Sequence, residues 1–356
     1  MRIAVVGASG NVGSALLRRL HAAQSEREDQ LEIVGIARRL PDPTQAPYDG
    51  VTWVGVDVGA RDARQKLVEA FKGCDAVVHL AWVLQPNHDE EQMRRVNVDG
   101  TSNVLAAAVN AGVGHVVCAS SVGAYSPGPK DSRVNEDWPA RGIETSHYSR
   151  FKGQQEELLD QFADDHPEIK VARLRPGLIF QTQAGSQIGR YFMGPWIPKF
   201  FVNRLRLPLF PFPEEFVFQA LHADDVADAY WRVLDQGARG AFNVAAEPVI
   251  TPGLLASLFG ARRWLPVPVP LVRLLVGAAW SVRLLASDPG WVDMARAAPV
   301  MDTGRARTEL GWTPRVDSVS AIRQVLQGMA AAEGVPESPA MRPGSRWTGA
   351  QPGTGA

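Results

Sequence analysis

The sequence has little cysteine. Only Cys74 and Cys118 occur among 356 residues. Each lies beside an apolar, strand-like run, so both are expected to be reduced and buried, not part of a disulfide or metal framework. Net charge is also nearly absent: 37 Lys and Arg stand against 38 Asp and Glu, a formal −1. That balance argues against a nucleic-acid or anionic-membrane surface as the main partner. Long unbroken apolar runs are missing too. The most apolar later stretch, 264–286, is interrupted by prolines and by Arg273 and Arg283. It makes a poor spanning helix, and a buried lobe helix is expected there ahead of an amphipathic membrane-surface one. The first strand follows Met1 directly, leaving no room for a secretory signal peptide, so a cytoplasmic protein is expected. No internal repeat is visible.

What is present begins at once. Residues 3–6 are a short apolar strand, and Gly7, Gly10 and Gly13 follow with the spacing G-x-x-G-x-x-G. Val12, Leu16 and Leu20 then recur every four residues, as on one face of a helix. Glycine permits positive φ and close approach of a ligand to the backbone. The helix start supplies unpaired N–H groups and a positive dipole end, a ready pyrophosphate site. Strand, glycine turn and helix together point to a dinucleotide, with Gly7, Ser9, Gly10, Asn11, Val12 and Gly13 as its cradle.

The following pattern alternates. Strands are expected at 31–37, 51–56, 76–81, 115–119, 171–174 and 241–245, and helices at 63–71 and 97–111 and around 148–156. This spacing predicts an α/β protein with a Rossmann-type, doubly wound parallel sheet. The second strand ends on Arg38-Arg39, where NAD-preferring sites place an acid. Arginines there suit a 2′-phosphate, so NADP(H) is favoured over NAD(H). Residues 40–50 are proline-rich and read as a loop. A capped helix start is expected at 221–226, and 252–285 reads as helical and apolar with proline breaks. The expected division is 1–177 with 218–248 for the dinucleotide domain, and 178–217 with 249–333 for a smaller, discontinuous substrate lobe. Residues 334–356, rich in Pro, Gly and Ser, are expected to be disordered.

One stretch could carry chemistry. Tyr148 and Lys152 are one helical turn apart, and Glu156 continues the same face. A cationic lysine favours the phenolate and brings a tyrosine toward neutral-pH acid–base work. Ser121 closes a strand at the sheet edge where such folds bind ligands, and can hydrogen-bond a reacting oxygen.

These motifs, in this order, resemble the extended short-chain dehydrogenase/reductases, the NAD-dependent epimerase/dehydratase family. The resemblance rests on residues 7–13, Asp57-Val58, His79-Leu80-Ala81, Asn97 to Thr101, Ser120-Ser121, Tyr148 to Lys152, Arg175-Pro176-Gly177 and 222–227. It implies that Tyr148 is the general acid/base and that Lys152 tunes it and holds the nicotinamide ribose. Ser121 would polarise the reacting oxygen, with Ser120 as the lesser candidate, and Asn97 would anchor a proton relay from Lys152. It further implies that Asp57 and Val58 meet the adenine, Leu80 and Ala81 line the cofactor cleft, and Pro176, Gly177 and Leu178 lie by the nicotinamide. Trp82, Ser120, Ser121, Tyr191 and Phe192 are expected to face substrate. No metal is expected. A homodimer through the helices at 97–111 and 148–160 is implied as well.

Two departures bear on the reaction. Residues Arg175 to Thr182 are closer to the reductase and hydroxysteroid-dehydrogenase branches than to nucleotide-sugar members. The aromatic segment 191–218 suits an apolar substrate better than a diphosphate, although Arg190, Arg204, Arg206 and Arg262 could clamp phosphates. The expectation is an NADP(H)-dependent oxidoreductase acting on a carbonyl or secondary alcohol of a mostly apolar small molecule. A nucleotide-sugar epimerase or dehydratase with retained NAD is the alternative. A non-catalytic dinucleotide sensor ranks third.

Overall fold

The structure, a computed structural model, describes residues 1–26, 30–85, 88–189 and 208–343. The early strands are β1 (Arg2–Val6), β2 (Glu32–Ala37), β3 (Thr52–Gly55), β4 (Ala76–His79), β5 (His115–Ala119) and the short β6 (Arg133–Val134). Then come β7 (Lys170–Pro176), β8 (Leu178–Phe180), β9 (Leu209–Phe212), β10 (Ala220–His222), β11 (Gly240–Val244), β12 (Arg263–Pro266) and β13 (Val300–Met301). Seven form one all-parallel sheet in the order β11-β7-β5-β4-β1-β2-β3. The chain runs outward from β1 to β3 and returns to β4 beside β1, so the direction of winding switches between β1 and β4. That is where doubly wound sheets open a ligand crevice.

Alternation along β1 explains why both faces are covered. Ile3 and Val5 join a core with Leu16, Leu17 and Leu20 of α1 (Asn11–Ser25) and with the helix Ala223–Gln236. Ala4 and Val6 face the other layer, made by α2 (Ala63–Phe71), α4 (Gly100–Asn110) and α5 (His147–Asp165). The short α3 (Glu90–Arg94) leads into a π-helical turn, Arg95–Asp99, before α4. A strand buried on both faces must be apolar throughout, which is why β1 reads as an unbroken apolar run after Arg2.

Several expectations meet a different structure. The helix expected over 97–111 begins with the π-helical turn, so Asn97 sits on a widened coil. Strand β4 stops at His79, leaving Leu80 and Ala81 in extended backbone at the cleft. The cap at 222 is the His222 side chain, which accepts from Asp224 N–H at 3.2 Å. The segment 252–285 breaks into the helix Pro252–Leu258, β12 and the helix Val269–Ser281. Ala306, Leu310 and Trp312 bury in the same core as β1 and α1, so residues after 249 are shared between the lobe and the main body. Cys74 and Cys118 are free and buried, and burial pushes the Cys118 thiol up to about 12. Among the described residues no helix is long and apolar enough to cross a membrane.

The tail departs most from expectation. Residues 334–343, expected to be disordered, fold back onto the molecule. Ser338 and Met341 are fully buried, and Ser338 Oγ donates to the Ser9 carbonyl at 2.6 Å.

Candidate active site

A cleft of about 430 Å³ opens at the carboxyl ends of β1, β2, β4, β5 and β7. Its walls contain the turn residues Gly7, Ser9, Gly10, Asn11, Val12 and Gly13, together with Arg38, Arg39, Asp57, Val58, Leu80, Ala81 and Trp82. Ser120, Ser121, Tyr148, Lys152, Pro176, Gly177 and Leu178, also expected from the sequence, line it too. Asn97 is not in the wall, and Tyr191 and Phe192 lie outside the described residues.

The glycine turn is built by contact. Gly7 has φ +89°, and a Cβ there would stand 2.7 Å from Ala81 N. A Cβ on Gly13 would stand 2.3 Å from Gly7 O, so only glycine lets α1 seat against the end of β1. Gly10 differs, because its nearest neighbour would be Gly7 O at 3.4 Å, leaving the rest of its surroundings open. Gly10 also caps α1 without any side-chain hydrogen bond. A helix start closed by glycine, with space before it, fits a pyrophosphate, so these residues can hold a dinucleotide.

Across the cleft, α5 is fixed against the turn that follows Ser121. Ser149 Oγ donates to Gly123 O at 2.5 Å and accepts from Ile143 N–H at 2.7 Å. Gly123 leaves room for the tyrosine ring, since a Cβ there would meet Tyr148 Cε1 at 2.8 Å. Tyr148 and Ser121 are thereby brought together in the cleft wall, where the serine hydroxyl favours the phenolate. Ser121 Oγ also accepts from Gly123 N–H at 3.0 Å. Burial pushes the Tyr148 phenol up to about 12, so at neutral pH it keeps its proton.

Lys152 has other partners. Its Nζ donates to Ala119 O at 2.7 Å and to Gln155 Oε1 at 2.9 Å, and lies 3.5 Å from the Trp82 ring centre. Burial brings it down to about 7. The sequence expectation that Lys152 depresses the tyrosine therefore meets a lysine turned toward a carbonyl, an amide and an indole. Gln155 Nε2 donates onward to Thr101 Oγ1 at 3.2 Å, and Thr101 Oγ1 donates to the Asn97 carbonyl at 2.7 Å. His79 Nε2 completes this cluster at 3.0 Å from Thr101 Oγ1. Since the Thr101 proton goes to Asn97, His79 must donate from Nε2. Its Nδ1 has no partner, and burial lowers the ring to about 3.

The side chain of Asn97 has a separate task. Its side-chain amide accepts from Val83 N–H at 2.8 Å and donates to Val83 O at 2.9 Å, clamping the backbone beside Trp82. Only its main-chain carbonyl joins the chain from Lys152. Ser120 is also committed elsewhere, because its hydroxyl donates to Glu156 Oε1 at 2.5 Å. Glu156 further pairs with Arg173 Nη1 and Arg175 Nη2, each at 2.8 Å, and, against the opposing effect of burial, the Arg175 guanidinium holds it down at about 2. That leaves Ser121 as the hydroxyl free to meet a ligand.

Residues 3–245 match the NAD dependent epimerase/dehydratase family. The chain belongs to this family. Its fold is Rossmann-like. An uncharacterized protein of Mycobacterium tuberculosis is 28% identical over 316 residues, which cover 88% of this chain and 28% of the relative. The chain thus spans little more than a quarter of that protein. The L-arabinose 1-dehydrogenase (NAD(P)(+)) of Haloferax volcanii is 29% identical over 213 residues, 55% of this chain and 77% of the enzyme. Among solved structures, UDP-glucose 4-epimerase of Thermus thermophilus, in complex with NAD, has a TM-score of 0.66 at 23% identity. The match covers 93% of this chain and all of that one. The dTDP-glucose 4,6-dehydratase of Streptomyces venezuelae, with NAD bound, gives 0.65 at 20% identity over 92% of this chain and 96% of that one.

Within the epimerase/dehydratase frame, sequence reasoning did not single out Trp291, Gln181 or Ala340. Trp291 packs on Tyr148 with ring centres 4.9 Å apart, while Trp82 meets the same tyrosine edge-on at 6.0 Å. Gln181 donates to Asn11 Oδ1 at 2.6 Å and accepts from Arg18 at 2.8 Å, tying the lobe to the glycine turn. Ala340, from the tail, also lines the cleft. None belongs to a local pattern. Of the aromatic segment, Phe210, Phe212 and Phe216 pack inside the lobe and do not line the cleft.

Proposed function

We propose that the chain is an NADP(H)-dependent oxidoreductase that interconverts a carbonyl and a secondary alcohol on a mostly apolar small molecule. The pairing of Tyr148 with Ser121 in one cleft wall, with the glycine turn lining the same cleft, carries this reading. When bound, a reduced nicotinamide supplies the hydride for the substrate carbon. Ser121 can donate to the substrate oxygen, since its own oxygen already accepts from Gly123 N–H. Tyr148 then gives its proton to that oxygen as negative charge develops, and its high pKa keeps the acid form available. Trp82 and Trp291 give the reacting centre apolar walls, which suits an apolar substrate and excludes water. Arg38 and Arg39, exposed where β2 ends at the cleft, are the support for a 2′-phosphate.

A second reading is an epimerase or dehydratase that keeps NAD through the cycle. The Thermus and Streptomyces structures, solved with NAD, favour it. Purified protein is to be denatured and its released cofactor identified, then assayed with NADPH or NADP⁺ against a panel of ketones and alcohols. Exchangeable NADPH with stoichiometric turnover is expected. Retained NAD with no net redox turnover would overturn the reductase reading in favour of the second.

A further inference from the structure

Residues 335–341 form a closed loop. Val335 N–H donates to Met341 O at 2.8 Å, Ser338 N–H to Val335 O at 3.0 Å, and Met341 N–H to Ser338 O at 3.1 Å. The loop is attached at three points, to the glycine turn, to α1 and to the loop between β2 and β3. Ser338 Oγ donates to Ser9 O at 2.6 Å, inside the glycine turn. Met341 Sδ accepts from Ser14 Oγ at 3.7 Å, in the first turn of α1. Glu337 O accepts from Asp42 N–H at 3.1 Å, in the loop after Arg38 and Arg39. The buried Tyr48 hydroxyl, from the same β2–β3 loop, is hydrogen-bonded to Ser14 at 2.9 Å, beside the Met341 contact.

These contacts connect the element that faces a pyrophosphate with the loop that leaves the arginine pair. We propose that the 335–341 loop is part of the cofactor site, a clasp that positions the cradle for the adenosine-pyrophosphate half of the dinucleotide. Ser338 is its positioning residue. By holding the Ser9 carbonyl on the far side of the turn, it orients the turn's peptides so that their N–H groups face the ligand. Ala340 adds surface to the cleft wall itself. The effect falls on the adenosine half because every attachment lies on the turn, on α1 or on the β2–β3 loop. None reaches Tyr148, Lys152 or Ser121. The inference rests on the family's dinucleotide site and is independent of the reaction proposed above.

The test uses the full chain, Ser338→Ala and Ser338→Asp. Affinities for NADPH, NADH, ADP and nicotinamide mononucleotide are measured by titration, and NADPH release by stopped-flow chase. Loss of a buried hydrogen bond to the turn is expected to weaken NADPH and ADP by about 5–10-fold in Ser338→Ala. NADPH release should speed up in parallel, while nicotinamide mononucleotide affinity stays unchanged. Ser338→Asp, which sets a carboxylate against the Ser9 carbonyl, should weaken ADP further. A folded Ser338→Ala variant with ADP and NADPH affinities within 2-fold of the parent overturns the clasp. So does an equal loss for nicotinamide mononucleotide, which would mark a merely structural role. If the parent chain binds neither dinucleotide, the cofactor reading itself fails, and the clasp falls with it.

Discussion

The Lys152 ammonium lies 3.5 Å from the centre of the Trp82 ring and donates to Ala119 O and Gln155 Oε1. Its burial lowers it to about 7 from an ordinary 10.5. Between those values the unfolded chain binds a proton that the folded chain does not, so this group makes stability rise with pH across that window. Below pH 7 the burial of the charge weighs on the fold in full. Lys152→Met should therefore be more stable than the parent at pH 6, with the advantage shrinking toward pH 10. Urea unfolding of both proteins at several pH values measures the difference directly. A difference independent of pH would remove the buried-lysine account.

Glu156 works in the opposite direction. It is buried against Arg173 and Arg175 and held at about 2, so it stabilises the fold above pH 4.5 and loses that contribution as pH falls toward 2. Glu156→Gln leaves two buried guanidinium groups without their carboxylate and should destabilise the protein by about 3–5 kcal/mol at pH 7. Denaturant titration checks this, and a loss below about 1 kcal/mol would contradict the buried-network reading.

His79 adds a second acid-sensitive window. Buried with Nδ1 unpartnered and lowered to about 3, it resists protonation that the unfolded chain accepts near 6.5. Stability should fall as pH drops from 6.5 toward 3. His79→Gln, which can still donate to Thr101, should flatten that slope above pH 4.5, where Glu156 does not yet contribute.

Tyr148→Phe removes the hydroxyl set beside Ser121 in the cleft wall. Turnover should drop by at least about 10²-fold, with NADPH affinity within 2-fold of the parent. Persistent turnover would take the acid role away from Tyr148.

The proposed preference for NADP(H) rests on Arg38 and Arg39. Arg38→Asp combined with Arg39→Ser should weaken NADPH by about 10-fold or more while sparing NADH, since charge-assisted contacts to a phosphate are lost selectively. Equal losses for both dinucleotides would show that neither arginine reads the 2′-phosphate.

Much of this architecture was legible locally. The apolar runs of β1, β4 and β5 and the four-residue spacing of α1 each report burial through periodicity alone. Glycines 7, 10 and 13, and the tyrosine and lysine one turn apart, are likewise short-range patterns. Periodicity alone did not separate Ser120 from Ser121, since both follow the same strand, and the family resemblance was what favoured Ser121. The choice follows from Glu156, which takes the Ser120 proton across two elements.

The amino-acid sequence by itself determined the alternating α/β pattern, the glycine cradle and the helix that carries Tyr148 and Lys152, because backbone conformation and facial burial are set by near neighbours. The tertiary structure alone decided the direction of the Lys152 ammonium, the clamp of Asn97 on Val83, and the return of Ser338 to Ser9 from 329 residues away. Hydrogen bonds of that range leave no periodic trace. They depend on which surfaces the packed core brings together, and a proline- and serine-rich tail gives no sign of its partner until the core exists.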